Sequence, residues 1–167
     1  MRYCFLDIDG VLNSENRWRA TGIMVNAGRV KMDIAAGKVP DPGWMQESVD
    51  LLRKAQEVAG FKVVISSTWR FSLAVRDFHV AFDQYGWDTR DIIIGKTDEG
   101  SGPRGEQIKR WLNNYGKYPY QYCIIDDSTD MLDSQLKFFV QTTFDDGLTE
   151  VEYPKILAAF EIEQPSE

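Results

Sequence analysis

Short apolar runs typical of buried strands alternate along this chain with longer segments of helical periodicity. The strand-like runs cover residues 3–8, 61–65, 91–94, 121–125 and 137–141. Helical patterns follow at residues 45–59, 71–85, 103–115 and 154–160. This alternation predicts a parallel sheet with helices on both faces, which is a doubly wound, Rossmann-like α/β fold.

Length and composition indicate one soluble domain. A chain of 167 residues is long enough to bury a single substantial core, and 43% apolar with 27% charged residues is ordinary for a globular protein. Residues 14–43 interrupt the alternation with several glycines and prolines. We therefore predict a single domain over residues 1–167, with residues 14–43 as a flap or minimal cap insertion.

Charge and residue usage exclude several classes of function. A formal net charge of −7 disfavours binding of nucleic acid through a basic face, although an enzyme acting on one phosphorylated end stays possible. There is neither a membrane-spanning apolar run nor a signal-peptide pattern, so we expect no membrane partner. Cys4 and Cys123 lie in apolar runs and are interpreted as buried, reduced thiols of a cytoplasmic protein. Because His79 is the only histidine, the chemistry must depend on carboxylates.

Two aspartates follow the first predicted strand. Asp7 and Asp9 are two positions apart, so along a strand they point to the same side, roughly 6–7 Å apart. One carboxylate can then attack a phosphorus atom while the other reaches the leaving oxygen. Gly10 permits the sharp turn that must follow.

A second acidic pair, Asp126 and Asp127, follows the fourth predicted strand. Because the carboxyl ends of parallel strands meet at one edge of a sheet, we expect this pair to lie beside Asp7 and Asp9. Clustered carboxylates repel one another, and a divalent cation with a preference for oxygen ligands removes that cost. The pattern therefore predicts Mg²⁺ as the cofactor.

Groups that can bind a phosphoryl oxygen also follow strands or open helices. Ser66 comes directly after the second predicted strand. Arg104 lies in the first turn of the helix opened by Pro103, where a positive charge is tolerable if an anion sits in front of the helix. Lys96 is the alternative cation, and the sequence leaves the choice between these two residues open.

Four segments resemble the motifs of the haloacid dehalogenase (HAD) superfamily, chiefly its phosphatases. They are FLDIDGVLN (5–13), VVISSTWR (63–70), PRGEQIKRWL (103–112) and CIIDDSTD (123–130). The first and fourth segments are the most specific. Together with FDDGLT (144–149), the sequences of these segments are similar to those of the small HAD domains of nucleic-acid repair proteins.

This resemblance implies a Mg²⁺-dependent phosphatase with an aspartyl-phosphate intermediate. Asp7 would attack phosphorus, and Asp9 would protonate the leaving oxygen and later activate water. Asp7, Asp9 (through its main-chain carbonyl), Asp126 and Asp127 would hold the metal. Ser66 and one of the two candidate cations, Arg104 or Lys96, would neutralise the phosphoryl group.

Two further interpretations remain. One is a phosphatase for nucleic-acid or nucleotide ends, with Trp69, Arg70 and residues 17–19 supplying stacking and charge, in place of a small phosphorylated substrate. The other is a non-catalytic phosphate-binding module, which the presence of both Asp7 and Asp9 disfavours.

Overall fold

Five parallel strands form the centre of the fold, in the order β3-β2-β1-β4-β5. The computed structural model describes residues 1–161 of the chain, so the end of the predicted domain, residues 162–167, lies outside the described part. The strands are β1 (Arg2–Leu6), β2 (Lys62–Ile65), β3 (Ile93–Lys96), β4 (Gln121–Asp126) and β5 (Phe139–Gln141). The predicted parallel α/β architecture is confirmed.

Helices connect the strands and cover both faces of the sheet. They are α1 (Glu15–Thr21), α2 (Ala27–Ala35), α3 (Gln46–Ala59), α4 (Val75–Asp83), α5 (Arg104–Tyr115) and α6 (Tyr153–Ala159). Short 3₁₀ helices span Thr68–Phe71 and Asp133–Phe138. Among the described residues, no helix combines the length and the apolar character that crossing a bilayer requires.

Alternate side chains of the strands enter two separate cores. On β1, Cys4 and Leu6 belong to the larger core, which also contains apolar residues of α3, α4 and α6. Tyr3 and Phe5 point into the smaller core, which α5 covers. This period of two is the signature of a sheet that is buried on both faces, and it explains why the strand sequences are continuously apolar.

Local chemistry explains the end of α3 and the start of α5, whereas α4 begins later than predicted. Gly60 ends α3 in the left-handed conformation, with φ of 67°. Pro103 precedes α5 as predicted. The predicted helix over residues 71–85 begins later, at Val75, because the Asp77 side chain accepts from the Ala74 N–H and the chain before it forms a 3₁₀ turn.

The segment 14–43 contains two short helices instead of irregular chain. Ser14 and Asn26 accept hydrogen bonds from backbone N–H groups three residues further on and so begin α1 and α2. This capping is a local signal that the glycine and proline content obscured. Whether the segment acts as a flap stays a prediction.

Candidate active site

The carboxyl end of β1 places Asp7 between its neighbouring strands. The Asp7 N–H donates to the Ile125 carbonyl at 3.0 Å, which continues the ladder to β4 by one residue. The chain then turns at Gly10, which has φ of 74°. A Cβ atom at Gly10 would lie 2.6 Å from the Asp127 carboxylate, so only glycine lets this turn pass the acidic pair of β4.

Three carboxylates meet at this edge of the sheet. Asp7, Asp126 and Asp127 each offer an oxygen, and these oxygens lie within 4.8 Å of one another. Burial raises the pKa of Asp126 to about 8, with the neighbouring Asp7 as the next cause. Burial and then Asp7 also raise the pKa of Asp127. The three carboxylates are suited to a divalent cation, because a cation would offset both the desolvation and the mutual repulsion.

Asp9 points to a different set of partners. Its oxygens accept from the Trp69 indole N–H at 3.1 and 3.0 Å, and one of them also accepts from the Asn13 amide at 2.7 Å. Asn13 in turn accepts from the Gly10 N–H at 3.0 Å. Burial raises the pKa of Asp9, and the hydrogen bonds from Asn13 and Trp69 partly oppose that rise. Asp9 is thus a positioned carboxyl group that retains its proton more readily than an exposed one.

Arg104 is the cation that the structure places among the carboxylates. Its Nη1 atom lies 2.9 Å from Asp126 Oδ2 and 3.4 Å from Asp7 Oδ1. Burial by itself would lower the pKa of Arg104, but Asp7 and Asp126 raise it, so the guanidinium stays charged. Asp130 caps the start of α5 by accepting from the Arg104 N–H at 2.8 Å.

Among residues 1–161, the buried polar atoms without a hydrogen-bond partner include Ser66 Oγ, Asp126 Oδ2 and Arg104 Nη1 at this edge. Ser66 Oγ, at the end of β2, is fully buried and unpaired. Asp126 Oδ2 is close to Arg104 but lacks the alignment of a hydrogen bond. Unpaired buried oxygens are costly, so a phosphoryl group and a cation are fitting partners for this pair.

The remaining predicted site residues have protein partners. Lys96 Nζ donates to the carbonyls of Arg70 and Leu73 at 2.6 and 3.2 Å. Trp69 is 3% exposed and holds Asp9, and Arg70 is 1% exposed and donates to protein oxygens. These positions do not suit the predicted stacking on a substrate by Trp69 or a direct charge contact from Arg70, because both side chains are buried and already hydrogen-bonded.

Residues 17–19 lie on α1 in the insertion. Arg17 contributes to the wall of a cleft of about 520 Å³, whose other walls include Trp44 and Tyr85. Trp18 packs edge-on against Phe144, with ring centroids 5.3 Å apart. Trp44 of this cleft packs against Trp69 of the site, with ring centroids 5.7 Å apart.

Sequence reasoning missed the supporting roles of Asn13, Trp69 and Asp130. Asn13 lies four residues after Asp9, a spacing compatible with a turn that brings their side chains together. No local pattern could have indicated that Trp69, which is 60 positions from Asp9, donates to it. Asp130 lies 26 positions after Arg104, so its contact with the start of α5 depends on the tertiary structure and not on a local pattern.

Comparison with protein-family models gives one match across most of the chain. The model described as the HAD domain in Swiss Army Knife RNA repair proteins matches residues 3–153. A search of curated proteins found no match. A search of solved structures found none either.

Proposed function

Because the chain belongs to the family of HAD domains in Swiss Army Knife RNA repair proteins, we propose that it hydrolyses phosphomonoesters with Asp7 as the nucleophile. The observation that supports this proposal best is the division of labour among the aspartates. Asp7 lies within the carboxylate cluster and beside Arg104, whereas Asp9 is held apart by Trp69 and Asn13. A nucleophile and a proton donor need such different surroundings.

Asp7 would attack the phosphorus atom and form an aspartyl-phosphate, which divides one difficult displacement into two easier ones. Arg104 would orient the Asp7 carboxylate, since its guanidinium lies 3.4 Å from Asp7 Oδ1. The same guanidinium would then stabilise negative charge on the phosphoryl oxygens. Arg104 is therefore the proposed phosphate-binding cation, in preference to Lys96, whose ammonium group is bound to main-chain carbonyls.

Asp9 would act as the general acid and later as the general base. Its raised pKa favours the protonated form that the leaving oxygen requires. The hydrogen bonds from Trp69 and Asn13 would keep the carboxyl group oriented through both steps. After the leaving group departs, the ionised Asp9 would accept a proton from the attacking water.

The proposed cofactor is Mg²⁺, because the donor set consists only of oxygen atoms. Asp7, Asp126 and Asp127 would hold it, with the main-chain carbonyl of Asp9 as a further ligand. When bound, the ion would neutralise negative charge on the carboxylates and on the phosphoryl group. Ser66 Oγ, which is buried without a partner in the described chain, would donate to a phosphoryl oxygen.

A panel of phosphate esters with and without Mg²⁺ tests the proposal. We expect turnover with Mg²⁺ that disappears in a chelator, and a fall of roughly 10⁴-fold or more in Asp7→Asn, since loss of a nucleophile removes the covalent route. Asp91→Asn, at an exposed position, is the matched control and should retain wild-type turnover. Near-wild-type activity of Asp7→Asn would exclude Asp7 as the nucleophile.

The same panel separates this proposal from a non-catalytic module. A wild-type protein that binds inorganic phosphate with Mg²⁺ but hydrolyses no member of the panel would be a phosphate-binding domain. Acid-quenched peptide mass spectrometry gives independent support if it finds a phosphoryl group on Asp7 during turnover.

A second candidate function is hydrolysis of a terminal phosphate on RNA or a nucleotide. The description of the matching family, which names RNA repair, favours it. The net charge of −7 implies recognition of the chain end, not of a long backbone. Short 5′- and 3′-phosphorylated oligonucleotides should then inhibit hydrolysis of an aryl phosphate at lower concentration than sugar phosphates do.

A further inference from the structure

Arg70 is a buried guanidinium whose donors reach three stretches of chain. Nη1 donates to the carbonyls of Ser66 and Ser67 at 3.2 and 2.8 Å, and Nε donates to the Asp98 carbonyl at 3.1 Å. Nη2 donates to the Gln107 side chain at 2.8 Å. These four bonds use all three nitrogens of the planar guanidinium, an arrangement that a lysine ammonium cannot reproduce.

All four acceptors of Arg70 are neutral oxygens. Within the described residues no carboxylate lies within 4.0 Å of its guanidinium, although the side chain is only 1% exposed. Burial, and next the positive charge of Arg104, lower the pKa of Arg70. A buried arginine without a carboxylate partner is costly for stability, so the four hydrogen bonds to neutral oxygens are what stabilise its charge here.

Gln107 extends the contact from Arg70 to α5. It lies three residues after Arg104 on that helix and is 8% exposed. Its amide nitrogen donates to the carbonyls of Gly100 and Gly102 at 3.2 and 3.1 Å. One side chain therefore binds both the loop that leads into α5 and the guanidinium that holds the end of β2.

We propose that Arg70 and Gln107 are positioning residues that hold the Ser66 hydroxyl in register with Arg104 around the phosphoryl group. The inference rests on the proposed function, because it assumes that Ser66 and Arg104 bind the same phosphate. Val64 of β2 shares the smaller core with side chains of α5, and the pair adds a polar link between the end of β2 and the start of α5. A small relative shift would separate the two phosphate-binding groups.

Substitutions of the pair should reduce activity without contacting the substrate. Gln107→Leu keeps a similar volume but loses the bond to Arg70, and Arg70→Lys keeps the charge but not the fork. We expect kcat/KM to fall by about 10²-fold in each, which is what a misplacement of about 1 Å costs. Arg110→Lys is the matched control, since Arg110 binds the same loop through Asp98 but does not reach Ser66. It should stay within about 3-fold of wild type, as expected for an exposed ion pair.

A double-mutant cycle with Ser66→Ala distinguishes positioning from general damage. If the pair acts through Ser66, adding Gln107→Leu to Ser66→Ala should cost less than about 3-fold, because the group being positioned is gone. Full additivity of the two losses would overturn the proposal. So would an Arg70→Lys protein with wild-type kcat/KM, because only the positive charge would then matter.

Binding of inorganic phosphate to the Mg²⁺-loaded protein, measured by calorimetry, supplies a readout that does not require turnover. We expect about 10-fold weaker binding in Gln107→Leu and no change in Arg110→Lys, a difference of one decade in affinity. If the wild-type protein lacks turnover but shows this pattern, the proposed hydrolysis fails and the pairing stands. If the wild-type protein turns over and Gln107→Leu matches it in both assays, the pairing fails alone. If Arg70→Lys does not fold, Gln107→Leu carries the same two tests.

Discussion

The two halves of the sheet edge differ in what they offer a ligand. The β1–β4 half carries the carboxylates of Asp7, Asp126 and Asp127, whose charges repel. The β2–β3 half carries the unpaired hydroxyl of Ser66 and the buried cation of Arg70. Arg104, from α5, places its guanidinium against the acidic half.

This difference shows how one sheet edge can bind a cation and an anion together. The acidic half has three carboxylates beside one guanidinium, so a divalent cation would stabilise it further. The unpaired hydroxyl of Ser66 on the other half suits an oxyanion. A phosphate ester held between the halves would contact both. Each of the following predictions alters one side of this edge and measures the effect on activity or stability.

Among these further variants, the largest effect is expected when the proton donor is removed. Asp9→Asn keeps an oxygen that can accept from Trp69 but cannot donate a proton to the leaving group. We expect kcat to fall by about 10²–10⁴-fold, the usual contribution of a general acid. Steady-state kinetics with alkyl and aryl phosphates checks this. The loss should be smaller for the aryl ester, whose leaving group needs less protonation, and an equal loss for both esters would contradict the role.

The two adjacent serines provide a matched pair on the other half. Ser66→Ala removes the unpaired hydroxyl and should lower kcat/KM by about 10²-fold, the cost of losing one donor to a developing oxyanion. Ser67 Oγ accepts from the main-chain N–H of Trp69 at 3.3 Å and caps the 3₁₀ helix. Ser67→Ala should therefore lose about 1 kcal/mol of stability with a smaller effect on kcat/KM. Steady-state kinetics and thermal unfolding of both variants check this assignment. A larger loss of activity in Ser67→Ala than in Ser66→Ala would contradict it.

A smaller effect is expected on the pH profile. The hydrogen bond from Trp69 lowers the pKa of Asp9, against the rise caused by burial. Trp69→Phe removes that bond, so the pKa should rise and Asp9 should stay protonated to higher pH. The basic limb of kcat against pH should move upward. Trp111→Phe, at a buried position of α5, is the control. An unmoved limb in Trp69→Phe would show that the indole does not tune Asp9.

The smallest effect concerns stability of the acidic half without metal. Burial raises the pKa of Asp126 to about 8, so the folded state binds its proton more tightly than the unfolded chain. Stability in a chelator should therefore fall as pH rises from about 4, the ordinary carboxyl value, to about 8. Asp126→Asn should flatten that fall and unfold about 2–4 °C higher than wild type at pH 8.5, the shift that about 1 kcal/mol gives a domain of this size.

Added Mg²⁺ should change this order. It should raise the unfolding temperature of the wild-type protein, because a ligand that binds only the folded state stabilises it. The Asp126→Asn protein should gain little. If both proteins gain equally in differential scanning fluorimetry, Asp126 is not a ligand of the ion.

The α/β fold and the carboxylates of the candidate site were predictable from the sequence alone. Continuously apolar strands are required when a sheet is buried on both faces, and Asp7 and Asp126 directly follow or end such strands. Parallel topology then brings them together, because all strands have their carboxyl ends on one side. For the same reason Ser66 was expected at this edge, and the fold does place it at the end of β2.

Only the tertiary structure decided which cation lies among the carboxylates and what surrounds them. The sequence left the choice between Arg104 and Lys96 open, but α5 directs the first towards Asp126, while the second binds the carbonyls of Arg70 and Leu73. Trp69 and Arg70 were likewise predicted to contact a substrate, but packing buries both side chains. Such choices depend on the direction of side chains on elements far apart in the chain, and local periodicity carries no information about that direction.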